Sequence, residues 1–154
     1  MKTVEKSKGY EEINGKIYYF SDGPESRYGH YYDQVRGLLV NPYNENYYNS
    51  TSKAAPTYFF DAETGAALTN QFFNWEGDWY YFGPDGKALI FDQVINGQHL
   101  YFRNNGKQVK GQFISDYKGT RYYDENSGEL VTNQTRTING VTYHFDENGR
   151  PTQL

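Results

Sequence analysis

The sequence predicts an all-β protein of stacked β-hairpin repeats forming a solenoid. Three observations predict it. A run rich in aromatic rings recurs at near-constant spacing, Asn-Gly pairs stand ahead of three such runs, and a glycine follows each regular run four or five places later.

The last ring of each run serves as a marker. The markers Phe60, Phe82, Phe102, Tyr123 and Phe145 are separated by 22, 20, 21 and 22 residues. Ahead of the runs stand Ile13-Asn14-Gly15-Lys16, Ile95-Asn96-Gly97-Gln98 and Ile138-Asn139-Gly140-Val141. Asn and Gly both accept positive φ, which a two-residue hairpin turn requires at both central positions. Weaker turns, Glu76-Gly77-Asp78 and Lys118-Gly119-Thr120, precede two further runs. After each marker a second turn, rich in Asp, Asn, Glu, Ser and Pro, leads to a short apolar run such as Ala88-Leu89-Ile90 or Leu130-Val131. Each unit therefore reads strand, turn, strand.

Residues 1–8 read as a polar tail and 9–154 as a single repeat domain. Within it, 57–152 is the most regular part, and the Asn-, Tyr- and Ser-rich stretch 42–56 is an irregular insertion or long loop. Strand side chains alternate faces. The marker column is apolar and is expected inside. The column one place earlier, Tyr19, Tyr31, Phe59, Tyr81, Tyr101, Tyr122 and His144, is expected to face out or into the groove between hairpins.

Hydrophobic residues make up only 36% of the 154 residues, yet 19% are aromatic, so the core must be built from rings. The net charge is -4 and the basic residues are scattered, which argues against a nucleic-acid partner. No cysteine is present, which excludes disulfides and thiolate metal sites. The N-terminus does not read as a signal peptide, and no apolar stretch is long enough for membrane insertion. On that reading, a secreted parent would make this chain a fragment or an engineered piece.

Catalytic chemistry is not indicated. A glycosidase needs two carboxylates opposed across a cleft, whereas Asp61, Asp85, Asp124 and Asp146 recur in the same turn of successive repeats. His30, His99 and His144 lack metal-ligand spacing, and the Asp-Glu-Asn stretches lack a calcium-loop pattern. No enzyme activity, metal or cofactor is expected.

The stretch Trp79-Tyr80-Tyr81-Phe82-Gly83-Pro84-Asp85-Gly86-Lys87, then Ile95-Asn96-Gly97-Gln98-His99-Leu100-Tyr101-Phe102, Gly106-Lys107-Gln108-Val109-Lys110-Gly111 and Arg121-Tyr122-Tyr123-Asp124, resembles the glucan-binding repeats of bacterial glucansucrases. Choline-binding repeats and clostridial toxin repeats share the same grammar. The likeness is close from Thr57 to Thr152, partial from Gly9 to Asn41 and poor from Pro42 to Pro56.

The resemblance implies a secreted or cell-surface setting, a catalytic glucansucrase domain in a parent chain, and α-glucan pockets between hairpins. It implies as site residues Tyr80, Tyr81, Gln98, Tyr101, Lys107, Lys110 and Tyr122, with glucan docking between the hairpin around Trp79–Phe82 and that around Gln98–Lys110. A sugar ring offers a C–H face to a tyrosine and hydroxyls to Gln and Lys, which is the make-up of an apolar pocket with a few placed polar groups. Two readings stand beside this one: a choline or teichoic-acid module, and a designed or structural scaffold without ligand. Choline cages lean on Trp, and this chain has only Trp75 and Trp79.

Overall fold

The computed structural model describes residues 9–22, 32–34, 38–40 and 57–154. The expected tail, the insertion at 42–56 and Tyr31 lie outside the described residues. Among the described residues there is no helix; every regular element is a strand. The chain forms two compact units, Met1–Ala88 and Leu89–Leu154.

In the first unit, β1 (Gly9–Ile13), β2 (Lys16–Asp22) and β3 (Tyr32–Gln34) form an antiparallel sheet. β4 (Leu38–Val40) pairs with β5 (Tyr58–Phe60), and β6 (Gln71–Trp75) with β7 (Asp78–Phe82). The second unit holds the hairpins β8 (Phe91–Ile95) with β9 (Gln98–Phe102), β10 (Gln112–Asp116) with β11 (Gly119–Tyr123), and β12 (Gln134–Ile138) with β13 (Val141–Phe145), the last extended by β14 (Pro151–Gln153).

The expected turns form. Asn96 and Gly97 adopt φ of 52° and 78°, and the pairs at Asn14-Gly15 and Asn139-Gly140 match them closely. Glu76-Gly77 takes the same conformation, at 53° and 88°. The hairpin of β10 and β11 turns instead at Tyr117-Lys118, and there only Gly119 has positive φ.

The markers are the most deeply buried residues of the repeats. Phe60, Phe82, Phe102 and Phe145 are 0% exposed and Tyr123 is 1%. Each also closes the second turn of its repeat, facing Ala67, Ala88, Gln108, Leu130 or Pro151 across it. Successive repeats are tied by backbone bonds: Ala88 N–H donates to the Thr57 carbonyl in the first unit, and Leu130 N–H to the His99 carbonyl in the second. Glycine in the second turn lets the preceding repeat come close. At Gly149 (φ 79°) a Cβ would stand 2.7 Å from Leu130 Cδ1 and 3.2 Å from the Val131 carbonyl oxygen.

The spacing of 20 between Phe82 and Phe102 has a structural cause. A left-handed residue opens each hairpin: Asn70, Phe91, Gly111 and Asn133, with φ of 52°, 62°, 66° and 52°. In the other repeats the next residue, Gln71, Gln112 or Gln134, pairs with the marker. In the short repeat Phe91 itself pairs with Phe102, so one residue fills both places. A bulky residue in this region is a steric outlier.

Candidate functional site

The residue two places before each marker shares its inward face: Tyr58, Tyr80, Leu100, Arg121 and Tyr143. Arg121 is thus a charge in an otherwise uncharged column, and only 5% of it is exposed. Burial of an ion is costly unless every donor finds a partner, and here every donor does. Nε donates to the Tyr123 hydroxyl at 3.2 Å, and Nη1 to Asp116 Oδ1 at 2.9 Å and to the Gly119 carbonyl at 3.1 Å. Nη2 donates to Asp116 Oδ2 at 3.1 Å and to Asp92 Oδ1 at 3.3 Å. These contacts use all five guanidinium N–H groups. Hydrogen bonds from Arg121, aided by the Lys118 backbone N–H and nearby positive charge, pull Asp116 down to about 2. Burial raises the Tyr123 hydroxyl above its ordinary value.

Beside this cluster, within the second unit, opens a cleft of about 390 Å³, within the range of small-ligand pockets. Val94, Leu100 and Leu130 supply its apolar wall. Asp92, Lys118 and Arg121 supply charge, with Lys118 Nζ 3.1 Å from Asp92 Oδ2. His99, Asn148 and Arg150 reach it from exposed positions. Among the described residues no group of three or more His, Asp or Glu side chains could hold a metal ion.

None of the residues expected to hold ligand lines this cleft. In the first unit, Tyr80 is 2% exposed and packs in a cluster with Phe59 and Phe82, while Tyr81 is half-buried and meets Phe72 edge-on at 4.8 Å. In the second unit, Gln98 is exposed and Lys107 half-buried. Lys110 Nζ donates to the Asn126 carbonyl at 3.1 Å.

Of the two orientations expected for the column before the marker, the groove holds for Tyr101 and Tyr122. Tyr101 is 9% exposed against Val109, Ile114 and Tyr123, and Tyr122 is 6% exposed against Val131 and Phe145. The ring of one repeat is covered by the side chains of the next, so alternation along a strand did not leave it open. His144 does face out, with Nδ1 3.1 Å from Thr135 Oγ1.

Phe91, Asp92 and Arg121 are the residues that sequence reasoning missed. Arg121 carried a signal, since a charge stands where neighbouring repeats hold Tyr or Leu. Phe91 carried another, since it stands where they hold Asn or Gly. Its ring is 47% exposed and lies 6.2 Å from that of Tyr101.

The turn acids act as hydrogen-bond acceptors. Asp61, Asp124 and Asp146 open their turns and Asp85 sits two places later, each taking backbone N–H groups. The Ser127 N–H, then Arg136 at 2.6 Å, hold Asp124 well below the usual carboxylate range.

Residues 93–134 match the choline-binding repeat family, and residues 70–88 and 136–150 match the cell wall binding repeat. These matched residues are repeats of this kind. The repeat chain is also similar to Glucosyltransferase-I of Streptococcus downei, 45% identical across 64% of the chain and 6% of that protein. With Glucosyltransferase-I of Streptococcus mutans it shares 39% identity, across 94% of the chain and 10% of that protein. It therefore spans a tenth or less of these two relatives. Among solved structures, choline binding protein F from Streptococcus pneumoniae matches 95% of the repeat chain and 45% of its own length, with a TM-score of 0.66 and 22% identity. That likeness shows the hairpin-repeat fold alone.

Proposed function

We propose that the chain is a non-catalytic carbohydrate-binding module whose ligand is an α-glucan of the dextran type. The relatives are named glucosyltransferases, and the repeats cover too small a share of them to contain a whole enzyme. The natural setting of such a module is a secreted or cell-surface protein, beside a glucansucrase catalytic domain in a longer chain. The turn carboxylates are committed to backbone N–H groups, which speaks against an acid pair for glycoside cleavage.

The single observation that carries the binding role is Phe91. Its ring is nearly half exposed and is held at φ 62° where the other repeats use Asn or Gly. An exposed ring gains little from burial, and a left-handed phenylalanine costs about 1–2 kcal/mol. Strain retained at an exposed position points to a role other than stability. We assign Phe91 as the stacking plane for a glucose unit, backed by Tyr101. Gln98, Lys107 and Lys110 remain the proposed polar contacts of the second unit and Tyr81 the proposed edge contact of the first, while the buried rings of Tyr122 and Tyr80 support those surfaces from beneath.

Calorimetric titration with isomaltotriose tests this reading. One shallow site should bind on the order of millimolar, because a few contacts must offset lost translational freedom. Phe91→Ala should abolish the heat while circular dichroism stays unchanged. Unaltered binding by that variant would remove Phe91 from the site, and no heat from the parent at tens of millimolar ligand would remove the glucan.

A further inference from the structure

The cleft of the second unit has a different chemistry from Phe91. Tyr123 is the aromatic residue that lines it, but that ring is 1% exposed and its hydroxyl is committed to Asp92 at 3.3 Å. It therefore offers no open ring face for a neutral sugar, and no aromatic cage for a quaternary ammonium.

Its charge is also distinctive. Arg121 is saturated by Asp116, Asp92, Tyr123 and Gly119, so it balances carboxylates and has no donor left for a ligand. Asp92 is held in turn by Lys118, Arg121 and the Tyr123 hydroxyl. Lys118, Arg121 and Arg150 stand against Asp92, Asp116 and Asp146, the last accepting from the Arg150 N–H, so the charges around the cleft balance. What sets Arg150 apart is its side chain. Its guanidinium has no hydrogen-bond or ion-pair partner among the described residues. Its backbone is fixed, since Arg150 N–H donates to Asp146 Oδ1 at 2.9 Å and its carbonyl accepts from the Asp146 N–H at 3.0 Å. A planar, always-charged fork on a rigid turn suits bidentate capture of an oxyanion.

We propose that this cleft binds a sugar bearing an oxyanion, phosphate or carboxylate, with Arg150 and Lys118 on the anion and His99 and Asn148 on the hydroxyls. The apolar wall of Val94 and Leu130 takes the C–H face that an aromatic ring would otherwise cover. The site is independent of Phe91 and stands or falls separately from glucan binding.

The test is an amide-resolved NMR titration of the whole chain with glucose 6-phosphate, glucuronate, glucose, inorganic phosphate and choline chloride. Saturable shifts at His99, Lys118 and Arg150 are expected with glucose 6-phosphate, glucuronate or both, and the responding arm identifies the anion. Glucose and inorganic phosphate should each bind at least about tenfold more weakly, since each lacks one of the two recognised features. Arg150→Gln and Lys118→Gln should each weaken binding about tenfold, as loss of a charged hydrogen bond does, and leave dextran retardation as in the parent. The proposal is overturned if glucose equals glucose 6-phosphate and glucuronate, if inorganic phosphate alone binds as well as either, if choline binds more tightly, or if Arg150→Gln keeps both its spectrum and its affinity.

Discussion

The guanidinium of Arg121 faces the carboxylate of Asp116 with two parallel bonds, Nη1 to Oδ1 at 2.9 Å and Nη2 to Oδ2 at 3.1 Å. The neighbouring repeat holds Leu100 at the place of Arg121 and fills the same space without charge. The ion pair is therefore a local substitution into a repeating apolar column, and its removal leaves polar partners behind.

Arg121→Leu takes both guanidinium bonds from Asp116 and one bond each from Asp92 and the Tyr123 hydroxyl, which keep their bond to each other, and should lower stability by about 1.5–3 kcal/mol, the cost of charged hydrogen bonds lost without replacement. Arg121→Lys should not restore it, because an ammonium cannot reproduce the fork. Urea unfolding checks both. A Leu variant as stable as the parent would show that the network contributes nothing to the fold.

Stability should fall in acid. The folded pKa of Asp116 is about 2, against about 3.9 for an unfolded aspartate. A depressed carboxyl contributes fully above its unfolded value, and that contribution is lost as pH falls through the folded one. Asp124 is depressed in the same direction. The melting temperature should therefore drop between about pH 4 and pH 2. Asp116→Asn should start lower at neutral pH and fall less steeply across that window. Parallel profiles for the two proteins would contradict the assignment.

Phe102→Ala should cost about 3–5 kcal/mol, as an interior ring does. Tyr101→Ala should also be destabilising, by about 3 kcal/mol, because the ring is buried against Tyr123 and Val109. Thermal melts distinguish this from a surface change, which would move stability by less than about 0.5 kcal/mol.

The hairpin units were legible because their causes are local. Asn-Gly pairs set the turns, and the marker column reports the buried face. The placement of Tyr101 and Tyr122 was not legible, because what covers a strand's second face belongs to the next repeat, about twenty residues away. The role of Arg121 required knowing that Asp92, 29 residues earlier, reaches the same point. Phe91 was hidden for another reason: a one-residue shortening merges two positions, and only the strand register shows which residue is left holding both.

Phe91→Asn should raise stability by about 1 kcal/mol, since Asn tolerates the left-handed region that Asn70 and Asn133 already occupy. The same variant should bind glucan less well, a gain in stability at the expense of function. Denaturant midpoints and titration on one preparation report both, and a variant less stable than the parent would show that the Phe91 ring is a packing residue.

The most direct measurement is electrophoretic retardation of the folded chain in native gels cast with dextran, with a β-glucan gel and added choline as controls. Binding by several sites on one polymer should multiply weak contacts, so the parent should be retarded by dextran at concentrations where isomaltose competes poorly, and Phe91→Ala much less. Migration in dextran identical to that in plain gels, or retardation abolished by choline rather than by isomalto-oligosaccharide, would contradict the assignment of this chain as an α-glucan-binding module.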